Sequence, residues 1–148
     1  MIVWYQQEHQ ASCVAACIRM VLSALDQHLP EAEIRRALGN PRFGLTLGKA
    51  AHKLIEANAI AQYYSDCGLD DLRASLRAGN FPIVGIERRF FGYASAAHAV
   101  VLTAIHSSEV IAFDPLLGPE SQVYQLSTFD RAWKSAGKEM LLLQSPLA

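Results

Sequence analysis

The apolar residues of this chain change their period once, near Gly79, and that change sets the order in which secondary structure can be laid down. Before it the spacing is helical. Val14, Cys17, Ile18, Val21, Leu22 and Leu25 fall on one side of a helix from about Cys13 to Leu25, with Ser12 placed to cap it. Pro30 suits the first turn of a second helix and Gly39 its stop. Thr46 can cap a third through "LGKAAHKLIEAN", and "LDDLRASLRAG" reads as a fourth, with Asp70 and Asp71 in its first turn. Beyond Gly79 come short apolar runs separated by turn residues: "FPIVGIE", "HAVVLTAI", "EVIAF", "QVYQL" and "EMLLLQ". "SSE" at 107–109 is a hairpin turn, "DPLLGPE" a longer connection, and "STFDRAWKSAG" a short helix before the last strand. The expected class is α+β, with N-terminal helices packed on a C-terminal antiparallel sheet. No repeat or linker divides residues 1–148, so a single domain is expected.

The 148 residues are 51% apolar with a net charge of −1. Such a chain can bury a core without staples, and it offers no basic field for nucleic acid. "MIVWYQQEHQ" lacks the basic and apolar regions of a signal peptide, and no run reaches the roughly 18 apolar residues of a membrane span. A cytoplasmic protein with no membrane span is expected. Three cysteines are then reduced thiols rather than a disulfide framework.

One of those thiols has a chemical setting. Cys13 falls in the first turn of a helix, where unpaired N–H groups and the helix dipole favour a thiolate. His98 opens the strand "HAVVLTAI", and Asp114 closes "EVIAF" just before Pro115. If these strands pair through the "HSSE" turn, the start of one lies beside the end of the next, and His98 and Asp114 become neighbours. The carboxylate can then accept one imidazole N–H and hold the tautomer. Gln7, six residues before Cys13, carries an amide that can donate to the oxygen of a tetrahedral intermediate. Each residue alone also has an ordinary reading: a buried small cysteine, a surface histidine, an Asp-Pro turn, a solvated glutamine.

Together, "Q-x5-SCVAACIRMVL", "HAVVLTAI...EVIAFDPLLG" and "FDRAW" resemble the bacteriocin-processing double-glycine leader peptidases, a branch of the papain-like cysteine peptidases. The resemblance runs from Gln7 to about Trp133. It implies a papain-like cysteine peptidase fold in which Cys13 attacks a peptide carbonyl, His98 is base and acid, Asp114 orients it, and Gln7 with the Cys13 N–H binds the oxyanion. It further implies a peptide or protein substrate, cleavage after Gly-Gly, and association with a separate export or peptide-maturation system, a free-standing member without a transporter being expected. Ser12 and Val14 stand where the family usually has an acidic residue and a glycine. Thiol acyl transfer or deamidation on the same residues, and a non-catalytic peptide-binding module, stay open as alternatives.

Other sites are weaker. Zinc on Cys13, Cys17 and one histidine lacks a fourth ligand at a familiar spacing, and no cofactor is implied. Cys17 reads as core and Cys67 as a turn residue. His9, His28, His52 and His106 compete with His98, but none begins a strand beside an Asp-Pro. "ERRFFGYASAAH" is either a substrate-contacting loop or a hairpin whose aromatics cover the core.

Overall fold

A computed structural model describes residues 1–148. The elements follow the order α1 (Cys13–Ala24), α2 (Glu31–Ala37), α3 (Leu47–Glu56), β1 (Ala61–Tyr64), α4 (Leu69–Arg77), β2 (Ile83–Glu87), β3 (Ala97–Ile105), β4 (Glu109–Asp114), β5 (Leu117–Gln125), α5 (Leu126–Ser135) and β6 (Met140–Leu143). All six strands form one antiparallel sheet in the order β1-β6-β2-β3-β4-β5. The α+β class is as the change of period at Gly79 requires.

Alternation along the strands assigns two cores. Ile83, Ala99, Val101, Leu141 and Leu143 face α1, α2 and α3, where they join Ile18, Val21, Leu22, Ile34 and Leu54. Val84, Ile86, Val100, Leu102, Met140 and Leu142 face the other way and bury Leu72 of α4 and Phe129 and Trp133 of α5. The sheet is thus covered on both faces. β6 is buried at all four positions because it lies inside the sheet, which is why "MLLL" shows no polar alternation.

Three local features differ from the sequence expectation. Ser12 makes no side-chain cap to α1: its backbone is in a turn conformation (φ −103°, ψ 24°) rather than the extended one a cap needs. Its hydroxyl donates instead to the His9 carbonyl (2.9 Å). Thr46, with ψ 154°, does cap α3 by accepting from the Lys49 N–H. The β4–β5 connection is shorter than "DPLLGPE" suggested, since Asp114 already pairs with Leu117 and only Pro115 and Leu116 lie between. β1 was not expected at all. It is a four-residue edge strand whose only pairing is to β6, so its sequence carries little alternation.

The N-terminal residues form a strap from α1 to the β4–β5 turn. The Val3 N–H donates to the Ser23 hydroxyl (2.8 Å), the Trp4 indole N–H to the Asp114 carbonyl (2.8 Å), and the Gln7 N–H to the Pro115 carbonyl (2.9 Å). Trp4 lies so close to Gly118 that a Cβ there would stand 2.2 Å from the indole. Glycine is required at that contact.

Candidate active site

Cys13 is the first residue of α1, and the first N–H of that helix region to find an intrahelical carbonyl is that of Ala16, on Ser12. Of the earlier amides, the Val14 N–H donates to the thiol. α1 packs along β3 through Ala99 and Val101, so its N-terminus reaches the start of that strand, where His98 sits. The helix start and the strand start meet.

Asp114 comes from the neighbouring strand. Val101 pairs with Phe113, so one further step sets Asp114 opposite Val100, diagonal to His98 on the same face. The His98 Nε2 and Asp114 Oδ1 atoms lie 2.7 Å apart, with the two residues 5% and 3% exposed. The same carboxylate oxygen accepts from the Leu116 N–H (2.8 Å), and the Asp114 carbonyl holds Trp4. Asp114 is thus fixed through both side chain and backbone. With Nε2 engaged, Nδ1 is the imidazole nitrogen left for the thiol.

Protonation follows from these contacts. Burial alone would push the Cys13 thiol up, but hydrogen bonding to His98, the imidazolium charge and the Ala99 and Val14 N–H groups hold it below the ordinary 9.0. Burial alone would push His98 down, but the Asp114 hydrogen bond, the Cys13 thiol and the charges of both push it up to about 9. The two shifts run in opposite directions, and each favours the charged form of its group. Cys17, fully buried, is pushed the other way by burial and by the charges of Cys13 and Asp114. Burial, then Asp71 and Asp66, likewise raise Cys67. Of the three thiols, Cys13 alone is shifted down.

Cys13 and His98 open into a cleft of about 280 Å³ between the two halves of the chain. Val14, Gly44 and Leu45 line it from the N-terminal half of the chain, and Gly85, Ala97, Ala136 and Glu139 from the C-terminal half. Past Val14 and Leu45 it adjoins a hollow of about 620 Å³ reached by Arg35, Arg42 and Phe43.

Gln7 is buried at the edge of this arrangement and does not line the cleft. Its amide nitrogen donates to the carbonyls of His9 (2.8 Å) and Gln10 (3.0 Å), and its own oxygen is buried without a partner. As it stands the amide braces the loop that delivers Cys13. That loop is also held by Glu31, wholly buried, which accepts from the Glu8 N–H (3.1 Å) and has the Ser12 hydroxyl oxygen 3.3 Å away.

The rival histidines lie elsewhere: His52 pairs with Glu56 on the exposed face of α3, the His106 N–H closes the β3–β4 hairpin, and His9 and His28 are exposed. In the stretch 87–98, a 3-10 turn (Arg88–Phe91) carries Phe90 and Phe91 onto the second core, and Phe91 packs on Tyr124 with ring centroids 4.6 Å apart. Of that stretch only Ala97 and His98 reach the cleft; Phe90 and Phe91 cover the core, while Tyr93 is exposed with Arg88 over its ring. Sequence reasoning overlooked Trp4, Tyr63 and Glu139. An isolated tryptophan near the N-terminus and a glutamate before an apolar strand carry no local signal of a site.

A model of the Peptidase_C39 like family matches residues 1–141. The chain belongs to that family. Known structures share the fold of this C39-like chain at low identity. A Bacillus anthracis protein assigned as a C39-like peptidase superposes with a TM-score of 0.79 at 15% identity, covering 99% of this chain and 96% of that one. The peptidase domain of Streptococcus ComA, a bi-functional ABC transporter involved in a quorum-sensing pathway, gives 0.73 at 13% identity, with 98% and 99% covered. A double-glycine-motif protease from an AMS/PCAT transporter, in complex with the leader peptide, gives 0.70 at 17% identity, with 98% and 92% covered. No curated protein sequence matches the C39-like chain. None of its helices is long and apolar enough to cross a membrane.

Proposed function

We propose that residues 1–148 form one cysteine peptidase domain in which Cys13, His98 and Asp114 cleave a peptide or protein substrate. The observation that carries the reading is the pair of opposed shifts: a thiol held below its ordinary value faces an imidazole pushed up to about 9, with a carboxylate 2.7 Å from the other ring nitrogen. Family and fold are in accord with it. A thiol–imidazole pair so poised supplies nucleophile and acid together.

The Cys13 thiolate attacks the carbonyl carbon, forming the C–S bond and moving the C=O electron pair onto oxygen. The Cys13 N–H, free at the helix start, donates to that oxygen. Gln7 contributes a second donor by exchanging one of its carbonyl partners, His9 or Gln10, for the oxyanion. As the tetrahedral intermediate collapses, the C–N bond breaks and imidazolium His98 gives its proton to the departing amine. Neutral His98 then takes a proton from water, whose hydroxide adds to the thioester. Collapse releases the acid and returns the thiolate and imidazolium. Asp114 holds the ring throughout and stabilises its positive charge.

Specificity for a double-glycine leader, as in bacteriocin maturation, and a cytoplasmic place beside a separate export system are the family expectations that this reading carries forward. The test is digestion of a peptide library, including a Gly-Gly leader peptide, followed by mass spectrometry of products. Cleavage by wild type and none by Cys13→Ala supports the peptidase. Acyl transfer to an added amine without hydrolysis would favour the transferase alternative, and binding without either reaction would favour the peptide-binding module.

A further inference from the structure

The cleft holds a carboxylate that the chemistry above does not use. Glu139 lines the same space as Cys13 and His98, and no other acidic residue does. Its side chain is held in place. The Tyr63 hydroxyl donates to Glu139 Oε1, and the Tyr63 ring lies against Gly48, where an added Cβ would stand 3.5 Å away. That hydrogen bond, then burial and the Glu139 charge, push the phenol up to about 12, so it remains a donor.

The backbone that presents Glu139 is equally constrained. Gly137 (φ +98°) and Lys138 (φ +51°) make a left-handed turn just before it, a course that glycine permits at the first position. The carbonyls of Gly137 and Lys138 accept from the Asp66 and Cys67 N–H groups, and the Trp133 indole donates to the Glu139 carbonyl (2.9 Å). No cation of the protein neutralises this carboxylate: the six ion pairs use Glu8, Glu31, Glu56, Asp70 and Asp114 as acids. Apolar residues line the same cleft, Leu45, Gly85, Ala97 and Ala136 among them.

An aliphatic stem with a cationic head matches that arrangement, since the stem can lie on the apolar walls while the head meets Glu139. We propose that Glu139 is a specificity determinant which selects a Lys or Arg side chain of the substrate, placed in the cleft beside the bond that Cys13 attacks. This rests on the reading of the cleft as a peptide site, and it is separable from turnover.

The experiment is a set of otherwise identical peptides with Lys, Gln or Glu at each position in turn. Binding is measured to the Cys13→Ala protein and cleavage with the wild type. At one position the Lys peptide should bind about tenfold or more tightly than its Gln analogue, an increment of the size a single charge-assisted contact provides. Glu139→Gln, which keeps the Tyr63 hydrogen bond, should erase that preference, and Glu139→Lys should turn it toward Glu. Thermal unfolding of each variant confirms that it folds. Charge-selective binding that depends on Glu139 but comes without cleavage upholds this inference and ends the peptidase reading. Cleavage with no charge preference, or with one unchanged in Glu139→Gln, upholds the peptidase and overturns the inference, and absence of binding to every peptide overturns it as well.

Discussion

His98 and Asp114 come from adjacent strands of one hairpin, whereas Cys13 and Gln7 come from a helix start and the loop before it, whose contacts with the sheet join residues far apart in sequence. On the hairpin side, the β3–β4 register alone places the imidazole and the carboxylate together. On the helix side, position depends on Gln7 reaching Pro115, Trp4 reaching Asp114 and Ser12 reaching Glu31. The lesson is a division of labour. Conservative changes on the hairpin side should alter protonation while geometry persists, and changes on the helix side should alter geometry and stability first.

The largest effect expected is on the nucleophile. Cys13→Ala and His98→Ala should each lower kcat by on the order of 10⁴–10⁶, and the double variant should lose little more, because the pair acts as a unit. Additive losses in single-turnover assays would separate the two walls. Next is Asp114→Asn, which keeps shape and removes charge. It should cost roughly 10²–10⁴ in kcat, and nitrogen NMR of the ring should show the His98 midpoint falling from about 9, because burial then meets less opposition. An unchanged midpoint would mean that the hairpin does not set protonation.

Gln7→Ala tests the helix side. Because the amide must give up a carbonyl to serve the oxyanion, the loss in kcat should be about 10², at the lower end for an oxyanion donor, with KM nearly constant. A rise in KM alone would assign Gln7 wholly to bracing the loop. The smallest effect on chemistry should come from Gly118→Ala. The added methyl displaces Trp4, at a cost of about 1–3 kcal/mol in denaturant unfolding, while kcat falls only several-fold. A variant as stable as wild type would show that the strap is not seated as described.

What could be read from the sequence follows the same division. The His98–Asp114 contact was legible because hairpin geometry is local: two apolar runs, a short turn and an Asp-Pro exit suffice. α1 was legible from its period, and the helices α2 to α4 from their Pro, Thr, Asp and Gly boundaries. Ser12 misled because its hydroxyl has better partners in His9 and Glu31 than the helix offers. β1 was hidden because a strand with one neighbour and one buried face leaves only Ala61 and Tyr63 turned inward. Glu139 and Trp4 were invisible because their partners, Tyr63 and Asp114, lie 76 and 110 residues away.

The claim on which both walls depend is that His98 holds Cys13 as a thiolate. Ultraviolet titration of the thiolate, with Cys17→Ala and Cys67→Ala introduced so that Cys13 reports alone, measures it without any substrate. The account predicts a midpoint below the ordinary 9.0 that rises when His98 is replaced by alanine. Between that midpoint and about 9, where His98 loses its proton, the pair carries both charges, so turnover should rise through the first and fall through the second. A thiol that ionises at or above the ordinary value, or whose midpoint does not move in His98→Ala, would contradict the account.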